Sequence, residues 1–243
     1  MTADDPAIQL QAGRKLGSRY RVESLIGQGS EGAVYSVVDI STGIRRAAKI
    51  FGMQADRRGR LSTRHAQKLN RLRYCHIVLQ YLHSETVRIK GRSLTALVSE
   101  LCEGVPWEKF IAQQPGKRMS TFMALSLFQV LVEGLEEVHL SGEYHADVHS
   151  QNIMVQPRGV GFEIKLIDFY EWGKTTKSKQ QQDILDAVRV FYEMLGGRRF
   201  YARLPDEVKY IMAGLQTKHI LKRFPAMSDL SLYLSTFEWT SMT

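Results

Sequence analysis

The sequence predicts an α+β fold made of two lobes, the first rich in strands and the second helical. From Tyr20 to Leu101 the chain consists mainly of short runs rich in valine, isoleucine and tyrosine, separated by turn signals. After Glu103 apolar residues recur every three or four positions, as in amphipathic helices. We therefore expect a flexible N-terminal tail, a strand-rich lobe and a helical lobe, at residues 1–16, 17–103 and 104–243.

Four runs in the first lobe have the composition of β-strands. They read YRVESLIG, AVYSVVDI, RRAAKIF and LTALVSEL, and turn residues such as Ser41–Gly43 separate them. The only helix expected in this lobe is a basic segment, roughly Arg58 to Leu72. A cleft between the two lobes would be the natural place for a ligand.

The second lobe begins with the clearest helical pattern in the chain. Phe122, Leu125, Phe128 and Val132 follow one another at three- and four-residue intervals, and Ser120 or Thr121 is the expected N-cap. Further helices are predicted for QQDILDAVRVFYEMLGG, which ends at two glycines, and for DEVKYIMAGL and AMSDLSLYLSTF.

Composition indicates a soluble protein of a reducing compartment. Of 243 residues, 44% are hydrophobic and 24% are charged, and no apolar run reaches membrane-spanning length. The acidic start, MTADDPAIQL, is unlike a signal peptide. Cys75 and Cys102 lack the spacing of a metal site and need not be bridged. We therefore expect a cytoplasmic location, and the sequence does not indicate an oligomeric state.

The net charge of +8 is concentrated in one segment. Between Ala55 and His76 there are seven arginines or lysines and a single aspartate. The basic helix at residues 57–73 is therefore a candidate surface for an acidic partner or nucleic acid. A solvated helix face is the commoner role of such a charge run.

Three glycines, Gly27, Gly29 and Gly32, form a G-x-G-x-x-G pattern. A dinucleotide-binding fold would require a helix directly after the glycines, but AVYSVVDI alternates like a strand. The glycines are therefore expected at a hairpin tip, where backbone N–H groups can approach phosphate oxygens. A plain hairpin turn is the alternative.

A lysine on the following strand and three polar residues farther along complete the pattern. Lys49 lies among apolar neighbours, where it must either extend toward solvent or pair with an anion such as a phosphate. Asp147 and Asn152 lie five positions apart in HADVHSQN, and Asp168 follows an apolar strand. Phosphoryl transfer needs one carboxylate as a base, and an amide oxygen with a second carboxylate for Mg²⁺.

In these motifs the sequence resembles the protein kinase superfamily, from about Tyr20 to about Leu232. The resemblance implies that Asp147 is the catalytic base, that Lys49 contacts the ATP phosphates, and that Asn152 and Asp168 bind Mg²⁺. VSELCEG resembles the hinge, with Ser99 as gatekeeper. The residues implied in ATP binding are Gly27, Gly29, Gly32, Val34, Ala47, Lys49, Glu100, Cys102 and Met154.

The resemblance also covers the large-lobe helix that starts near Asp183, and the closing motif LKRFPAMSDL. Asp183 corresponds to the acid that braces the catalytic loop. Ala146, however, replaces the arginine that receives a phosphorylated activation loop in many protein kinases. Asp168 and Asp183 are only fifteen positions apart, which leaves no room for a long activation segment. These two departures fit together and imply an enzyme that is not switched by that phosphorylation.

Two further departures concern groups near the phosphates. No acid occurs between Asp56 and Glu85, where a helix glutamate would pair with Lys49. His65 and Gln67 lie near that place but cannot neutralise a lysine. Glu31 in the glycine loop is an acid that could reach Lys49 instead. The pattern H-x-D-x-H, which ends at His149, is similar to that of aminoglycoside and choline kinases. His149 is therefore included among the catalytic residues that the resemblance implies. Tyr170 replaces the glycine that usually follows Asp-Phe.

Three functions follow from the resemblance. The first is an ATP- and Mg²⁺-dependent kinase acting on serine or threonine hydroxyls of a protein. The second is a small-molecule kinase of the aminoglycoside or choline kinase type, which the short activation segment favours. The third is a nucleotide-binding pseudokinase scaffold, which the missing helix glutamate favours. Retention of Lys49, Asp147, Asn152 and Asp168 favours an active enzyme.

Overall fold

The computed structural model describes residues 8–169 and 173–238. The chain divides into two compact units, and the second includes a short segment that interrupts the sequence of the first. Unit 1 comprises Met1–Arg73 and Leu79–Cys102, and unit 2 comprises Tyr74–Val78 and Glu103–Thr243. The change of unit after Cys102 lies one residue from the lobe boundary expected from the sequence.

Unit 1 is built on a six-stranded antiparallel sheet. Its strands are β1 (Lys15–Leu16), β2 (Tyr20–Gly29), β3 (Gly32–Asp39), β4 (Arg45–Phe51), β5 (Tyr81–Ile89) and β6 (Arg92–Glu100). Their order in the sheet is β1-β2-β3-β4-β6-β5. The alternating side chains of the central strands bury one face, where Tyr35, Val37, Ala48 and Ile50 form part of the core.

The basic segment of unit 1 forms helix α1, Arg60–Arg71, after a 3-10 turn at Arg57–Gly59. The Asp56 carboxylate accepts hydrogen bonds from the backbone N–H groups of Leu61 and Ser62, which would otherwise lack partners at the helix start. The buried face of α1 carries Ser62, His65 and Lys68, and the exposed face carries Arg60, Arg64 and Arg71.

The expected flexible tail at residues 1–16 requires a correction for its second half. Tyr35 Oη donates a hydrogen bond to the Ile8 carbonyl at 2.6 Å and accepts one from the Leu10 N–H at 3.0 Å. Lys15–Leu16 pairs with β2, and Leu16 is buried. Apolar residues at positions 8, 10 and 16 therefore attach this segment to the sheet. Residues 1–7 lie outside the described part of the chain.

Unit 2 combines a small sheet with a set of helices. The strands β7 (Val105–Pro106), β8 (Ile153–Arg158) and β9 (Gly161–Leu166) are antiparallel, in that order. The helices are α2 (Trp107–Ala112), α3 (Thr121–Leu140), α4 (Lys177–Met194), α5 (Arg198–Tyr201), α6 (Asp206–Met212), α7 (Thr217–Arg223) and α8 (Met227–Ser235).

Helix α3 confirms the strongest helical pattern of the sequence, with one exception. Ser120 is the N-cap, and its hydroxyl accepts a hydrogen bond from the Met123 N–H. Phe128 and Val132 are fully buried, and the Phe128 ring stacks on Phe191 of α4 with 4.3 Å between centroids. The expectation that Phe122 shares this apolar face is wrong, because its side chain is 64% exposed in the first turn of the helix.

The segment Tyr74–Val78 belongs to unit 2 through both packing and hydrogen bonds. Ile77 and Val78 are fully buried, and the Ile77 carbonyl accepts a hydrogen bond from the Leu166 N–H at 2.7 Å. His76 Nδ1 lies 2.8 Å from a carboxylate oxygen of Glu137 on α3. Among the helices of residues 8–169 and 173–238, none is long and apolar enough to cross a membrane.

Candidate active site

The three candidate glycines of unit 1 lie at and near the tip of the β2–β3 hairpin, as predicted. Gly29 pairs with Gly32 across a turn made by Ser30 and Glu31. Gly32 has φ +154°, and a Cβ there would lie 2.0 Å from the Ile50 carbonyl oxygen, so the fold itself requires glycine at this position. By contrast, a Cβ at Gly27 or Gly29 would meet no atom closer than 3.8 Å. Packing within the fold therefore does not require glycine at these two positions.

Lys49 has an acidic partner, and that partner comes from the hairpin tip. Lys49 Nζ lies 2.6 Å from Glu31 Oε2, and both side chains are more than four-fifths buried. The Lys49 ammonium also lies 5.3 Å from the centroid of the Phe51 ring. Glu31, in the turn of the β2–β3 hairpin, therefore supplies the carboxylate that α1 lacks.

His65 of α1 lies next to the other oxygen of the same carboxylate. Its Nε2 is 3.5 Å from Glu31 Oε1, at the limit of hydrogen-bonding distance. Within the described ranges this buried nitrogen has no hydrogen-bond partner. Burial raises the pKa of Glu31, but the neighbouring His65 ring and Lys49 ammonium outweigh that effect and bring the pKa down to about 2. Glu31 is thus a carboxylate at any physiological pH.

The remaining residues implied in ATP binding follow the register of the sheets. Val34 pairs with Lys49, and Ala47 pairs with Ser99 on β6. The Ser99 hydroxyl donates a hydrogen bond to the Glu100 carbonyl at 3.1 Å. Strand β6 ends at Glu100, so Cys102 lies just beyond it in the connection to unit 2. In unit 2, Met154 is on β8, where it pairs with Pro106 and Lys165.

The loop between α3 and β8 carries the candidate base, and a buried carboxylate holds that loop. Asp183 on α4 is fully buried. Its two oxygens accept hydrogen bonds from the N–H groups of His145 and Ala146, each at 2.8 Å, and one of them lies 2.9 Å from His139 Nε2. Such a charge is retained inside a protein only where donors surround it. Asp183 therefore fixes the backbone directly before Asp147.

The His145 ring connects this loop to the segment that carries Asp168. Its Nδ1 accepts a hydrogen bond from the Asp147 N–H at 3.2 Å, and its Nε2 donates to the Ile167 carbonyl at 3.0 Å. The Asn152 carbonyl accepts a further hydrogen bond from the Ile167 N–H at 2.9 Å. Asp168, the next residue, is thereby tied to the loop that carries Asp147 and Asn152.

Asp147, Asn152 and His149 form a close group. Asn152 Nδ2 donates hydrogen bonds to the carbonyl oxygen of Asp147 and to its Oδ2, both at 3.0 Å. His149 Nε2 lies 3.2 Å from the same Oδ2, and both of these side chains are about two-fifths exposed. One carboxylate oxygen therefore has two neighbouring nitrogens while it stays accessible to solvent.

Two residues of this group have backbone angles that side chains disfavour. Ala146 has φ +74° and Asp168 has φ +55°. Left-handed conformations of this kind cost about 1 kcal/mol or more in a residue with a Cβ, and they cluster at functional sites. The hydrogen bonds that Asp183 accepts from the loop, and those that Ile167 makes with His145 and Asn152, supply the opposing constraint. Tyr170, the predicted substitution for glycine, lies outside the described residues.

The residues expected to bind Mg²⁺ have the right donor chemistry. Asn152 uses its Nδ2 toward Asp147, which leaves its amide oxygen as the atom for a cation, and Asp168 supplies a carboxylate. Magnesium prefers such oxygen ligands and usually completes its shell with water and substrate phosphates. No group of three or more His, Cys, Asp or Glu in residues 8–169 and 173–238 is arranged to hold a metal ion alone.

Several residues that shape the site are absent from the motifs of the sequence. His139 reaches Asp183 from α3, across 44 positions. Asp186, one turn after Asp183, has a pKa raised by burial and, to a smaller extent, by the nearby carboxylates of Asp183 and Asp147. Glu193 has a pKa raised mainly by burial. Only helical spacing from Asp183 could have pointed to Asp186, and no sequence signal marks His139.

Comparison with known proteins gives a family match and more distant relatives. The protein kinase domain model matches residues 20–203. Serine/threonine-protein kinase STK11 of Gallus gallus is 30% identical over 151 residues, which cover 60% of this chain and 33% of that protein. Serine/threonine-protein kinase PknA of Mycobacterium tuberculosis is 30% identical over 166 residues, which cover 65% of this chain and 36% of that protein. The chain thus spans about a third of the length of the curated relatives it matches.

Solved structures support the fold independently. The kinase domain of Mycobacterium tuberculosis PknI superimposes with a TM-score of 0.65 at 16% identity, over 93% of this chain and 99% of that chain. A double mutant of the same domain gives a TM-score of 0.67 at 18% identity, over 94% and 98% of the two chains. With the domain match over residues 20–203, the conclusion is that this chain belongs to the protein kinase family.

Proposed function

We propose that this chain is an ATP- and Mg²⁺-dependent protein kinase that phosphorylates serine or threonine hydroxyls. The observation that carries the proposal is the catalytic loop, in which Asp183 fixes the backbone before Asp147 and Asn152 holds the Asp147 carboxylate at 3.0 Å. Family membership and the similarity to serine/threonine-protein kinases support the same reaction.

Each site residue then has a defined task. Asp147 accepts the proton of the attacking hydroxyl, and Asn152 together with His149 orients that carboxylate. Lys49 binds the phosphates of ATP under a loop formed by Gly27, Gly29 and Gly32. Val34, Ala47 and Met154 contact adenine, and Glu100 and Cys102 offer backbone groups to it.

Asn152 and Asp168 would hold Mg²⁺. The bound ion would neutralise charge on the transferred phosphoryl group. The chain itself contributes positioning, because the hydrogen bonds of His145 and Asn152 to Ile167 keep Asp168 beside the catalytic loop.

We propose further that phosphorylation of an activation loop does not regulate this kinase. Ala146 offers no cation to a phosphate, and its N–H is already bonded to Asp183. Helix α4 begins at Lys177, only nine positions after Asp168, so the intervening segment is too short for an extended activation loop.

The Asp147→Asn variant tests the reaction. Asparagine keeps an acceptor for Asn152 Nδ2 but cannot take a proton, so we expect turnover to fall by about 10²- to 10⁴-fold, with ATP affinity largely unchanged. The measurement is transfer of label from γ-labelled ATP, with Mg²⁺, to a generic basic protein. Equal turnover in both proteins would show that Asp147 is not the base.

A small-molecule kinase is the second candidate, and two observations favour it. His149, which ends the H-x-D-x-H pattern similar to that of aminoglycoside and choline kinases, lies 3.2 Å from the Asp147 carboxylate. Only eight residues separate Asp168 from Lys177, whereas a protein substrate normally rests on a longer activation segment. ADP release that is stimulated by metabolites, without label on any protein, would favour this candidate.

The nucleotide-binding scaffold is a weaker alternative than the sequence suggested. It depended on the missing helix glutamate, and the pair of Lys49 with Glu31 offers another carboxylate for that role. Binding of ATP without release of ADP would support a scaffold instead.

We also propose a reducing compartment such as the cytoplasm, which suits Cys75 and Cys102, since neither forms a disulfide within the described residues. The exposed arginines of α1, including Arg60, Arg64 and Arg71, form a surface for an acidic protein or nucleic acid. A steep loss of binding with added salt would support such a contact.

A further inference from the structure

The Lys49 side chain of unit 1 is held by residues that no kinase motif specifies. Helix α1 carries no acid, and His65 points from its buried face toward the hairpin. Glu31 stands between the two side chains, with Oε2 at 2.6 Å from Lys49 Nζ and Oε1 at 3.5 Å from His65 Nε2. The three residues form a row from the helix through the hairpin tip to strand β4.

The backbone at Glu31 is also held to strand β4. Its carbonyl accepts a hydrogen bond from the Gly52 N–H at 2.9 Å, directly after the end of β4. The next residue, Gly32, pairs with Phe51 and lacks room for a side chain. The hairpin tip is thereby joined to the same strand that carries Lys49, so the carboxylate has a defined position relative to the ammonium.

We propose that Glu31 is the positioning residue for Lys49, and that the His65 ring supports it by lying against the second oxygen of its carboxylate, at 3.5 Å. This inference rests on the proposed function, because Lys49 is taken to bind the phosphates of ATP. The role that a helix glutamate has in related kinases is thus transferred to the glycine loop. Through Glu31, the glycine loop and the lysine that binds the phosphates are held in a fixed relative position.

The opposite role for Glu31 makes a distinct prediction. A carboxylate that merely occupies Lys49 would compete with the phosphates, and its removal would strengthen nucleotide binding. A positioning carboxylate keeps the ammonium in place, so its removal weakens the part of the binding that depends on phosphate.

The experiment compares the affinities of adenosine and ADP for wild-type protein and for Glu31→Gln. Lys49 acts on phosphates only, so adenosine affinity should stay at the wild-type value while ADP affinity falls roughly tenfold. General damage to the fold would weaken both ligands. Equal or tighter ADP binding by the variant would overturn the proposal.

Glu23→Gln is the matched control. Glu23 is on the same hairpin and pairs with Arg45 of the same strand β4 at 3.1 Å, but Arg45 is 67% exposed and Glu23 is 30% exposed. This variant should have wild-type affinities for both ligands. His65→Ala should lower ADP affinity in the same direction as Glu31→Gln but less, and a wild-type ADP-to-adenosine ratio would remove His65 from the proposal.

A second readout requires no bound nucleotide. The rate at which an amine-reactive ester acylates Lys49 is measured by mass spectrometry in the unliganded proteins. Loss of the carboxylate that holds the ammonium should increase this rate in Glu31→Gln and leave it unchanged in Glu23→Gln. An unchanged rate in Glu31→Gln would contradict the positioning role.

Failure of this inference is distinguishable from failure of the proposed function. If wild-type protein binds ADP more tightly than adenosine but transfers no phosphate, the kinase proposal fails and the effect of Glu31→Gln still decides the inference. If wild-type protein transfers phosphate and Glu31→Gln changes neither readout, the inference alone fails. Wild-type protein that binds ADP no better than adenosine would overturn both.

Discussion

Glu31 and Asp186 are two carboxylates whose surroundings act in opposite directions. Burial opposes the charge of both, but Glu31 has the His65 ring and the Lys49 ammonium beside it, and its pKa falls to about 2. Asp186 has a hydrogen bond from Gln182 and lies 3.6 Å from Arg189, which do not offset its burial, and its pKa is raised. The charge of Glu31 therefore favours the folded state, whereas that of Asp186 opposes it.

The stability contributed by Glu31 should disappear in acid. Its carboxylate binds protons less readily in the folded than in the unfolded chain, so its contribution is present above pH 4.5 and is lost as the pH falls toward 2. We expect Glu31→Gln to be less stable than wild-type protein at pH 7, with a difference that shrinks below pH 4.5. Urea denaturation at a series of pH values measures this difference.

Asp186→Asn is the contrasting control for that series. Protonation of Asp186 favours the fold, so wild-type protein gains stability as the pH falls through the raised pKa. The asparagine variant should therefore be more stable than wild-type protein at pH 7, and its advantage should shrink in acid. A Glu31→Gln difference that stayed constant with pH would mean that the charge of Glu31 does not act on stability.

At the scale of an element, the β2–β3 hairpin contains one glycine that the fold requires and others that it does not. Gly32 lies against the β4 backbone, and a side chain there would collide with the Ile50 carbonyl. Gly29, which pairs with Gly32, has free space beside it, because a Cβ added to Gly29 would have no atom within 4 Å. The same substitution at these two positions should therefore have different consequences.

We expect Gly32→Ala to lower the stability of the protein, by about 1–3 kcal/mol, because the strand must shift to admit the methyl group. Gly29→Ala should unfold within about 0.5 kcal/mol of wild-type protein and bind ATP more weakly, because the methyl group lies where phosphates would approach. Thermal unfolding and ATP titration of the two variants test this. Normal ATP affinity in Gly29→Ala would place the phosphates elsewhere.

The elements also show how far sequence reasoning extends. Strands β2, β3, β4 and β6 and helices α1, α3, α4, α6 and α8 were predictable, because periodic apolar residues and turn signals are local. Strand β5 was missed because His83 and Glu85 lie on its more buried face, the face that Val87 also occupies, and so interrupt the apolar alternation. The exposure of Phe122 depends on what packs beside the first turn of α3, which no local pattern records.

The candidate site divides in the same way. The catalytic-loop residues are adjacent in sequence, so a motif identifies Asp147, Asn152 and His149 together. The pair of Glu31 with Lys49 depends on hairpin register, and the contact of His139 with Asp183 depends on the packing of α3 against α4. Contacts across 18 and 44 positions require the tertiary structure. The sequence indicated Glu31 only as an acid that could reach Lys49.

At the scale of the whole molecule, neither of the two units is continuous in sequence. Unit 1 is interrupted by Tyr74–Val78, which unit 2 incorporates. Gly134 of α3 leaves the space that Ile77 fills, and a Cβ there would lie 2.4 Å from side-chain atoms of Ile77. This glycine lies in the interior of a long helix, where glycine is normally unfavourable, so packing rather than helix propensity explains it.

We expect Gly134→Ala to destabilise the protein by about 1–3 kcal/mol despite the better helix propensity of alanine. Ile77→Ala alone should cost about 2–5 kcal/mol. The double variant should be more stable than the sum of the two changes implies, by at least about 0.5 kcal/mol, because the two groups share one space. Urea denaturation gives the three values, with Leu140→Ala at an exposed position of α3 as the control. Strict additivity would show that Ile77 does not fill this space.

The position of Tyr74–Val78 has a consequence for synthesis on the ribosome. Gly134 and Leu166, the partners of Ile77 in packing and hydrogen bonding, follow Val78 by 56 and 88 positions. At roughly 5–20 residues per second, the apolar side chains of Ile77 and Val78 wait several seconds for their final neighbours. Strands β5 and β6 of unit 1 are made early in that interval, whereas unit 2 has only this fragment until synthesis reaches Glu103. Until α3 and β9 have emerged from the ribosome, the Ile77 and Val78 side chains must therefore be shielded from water by other contacts.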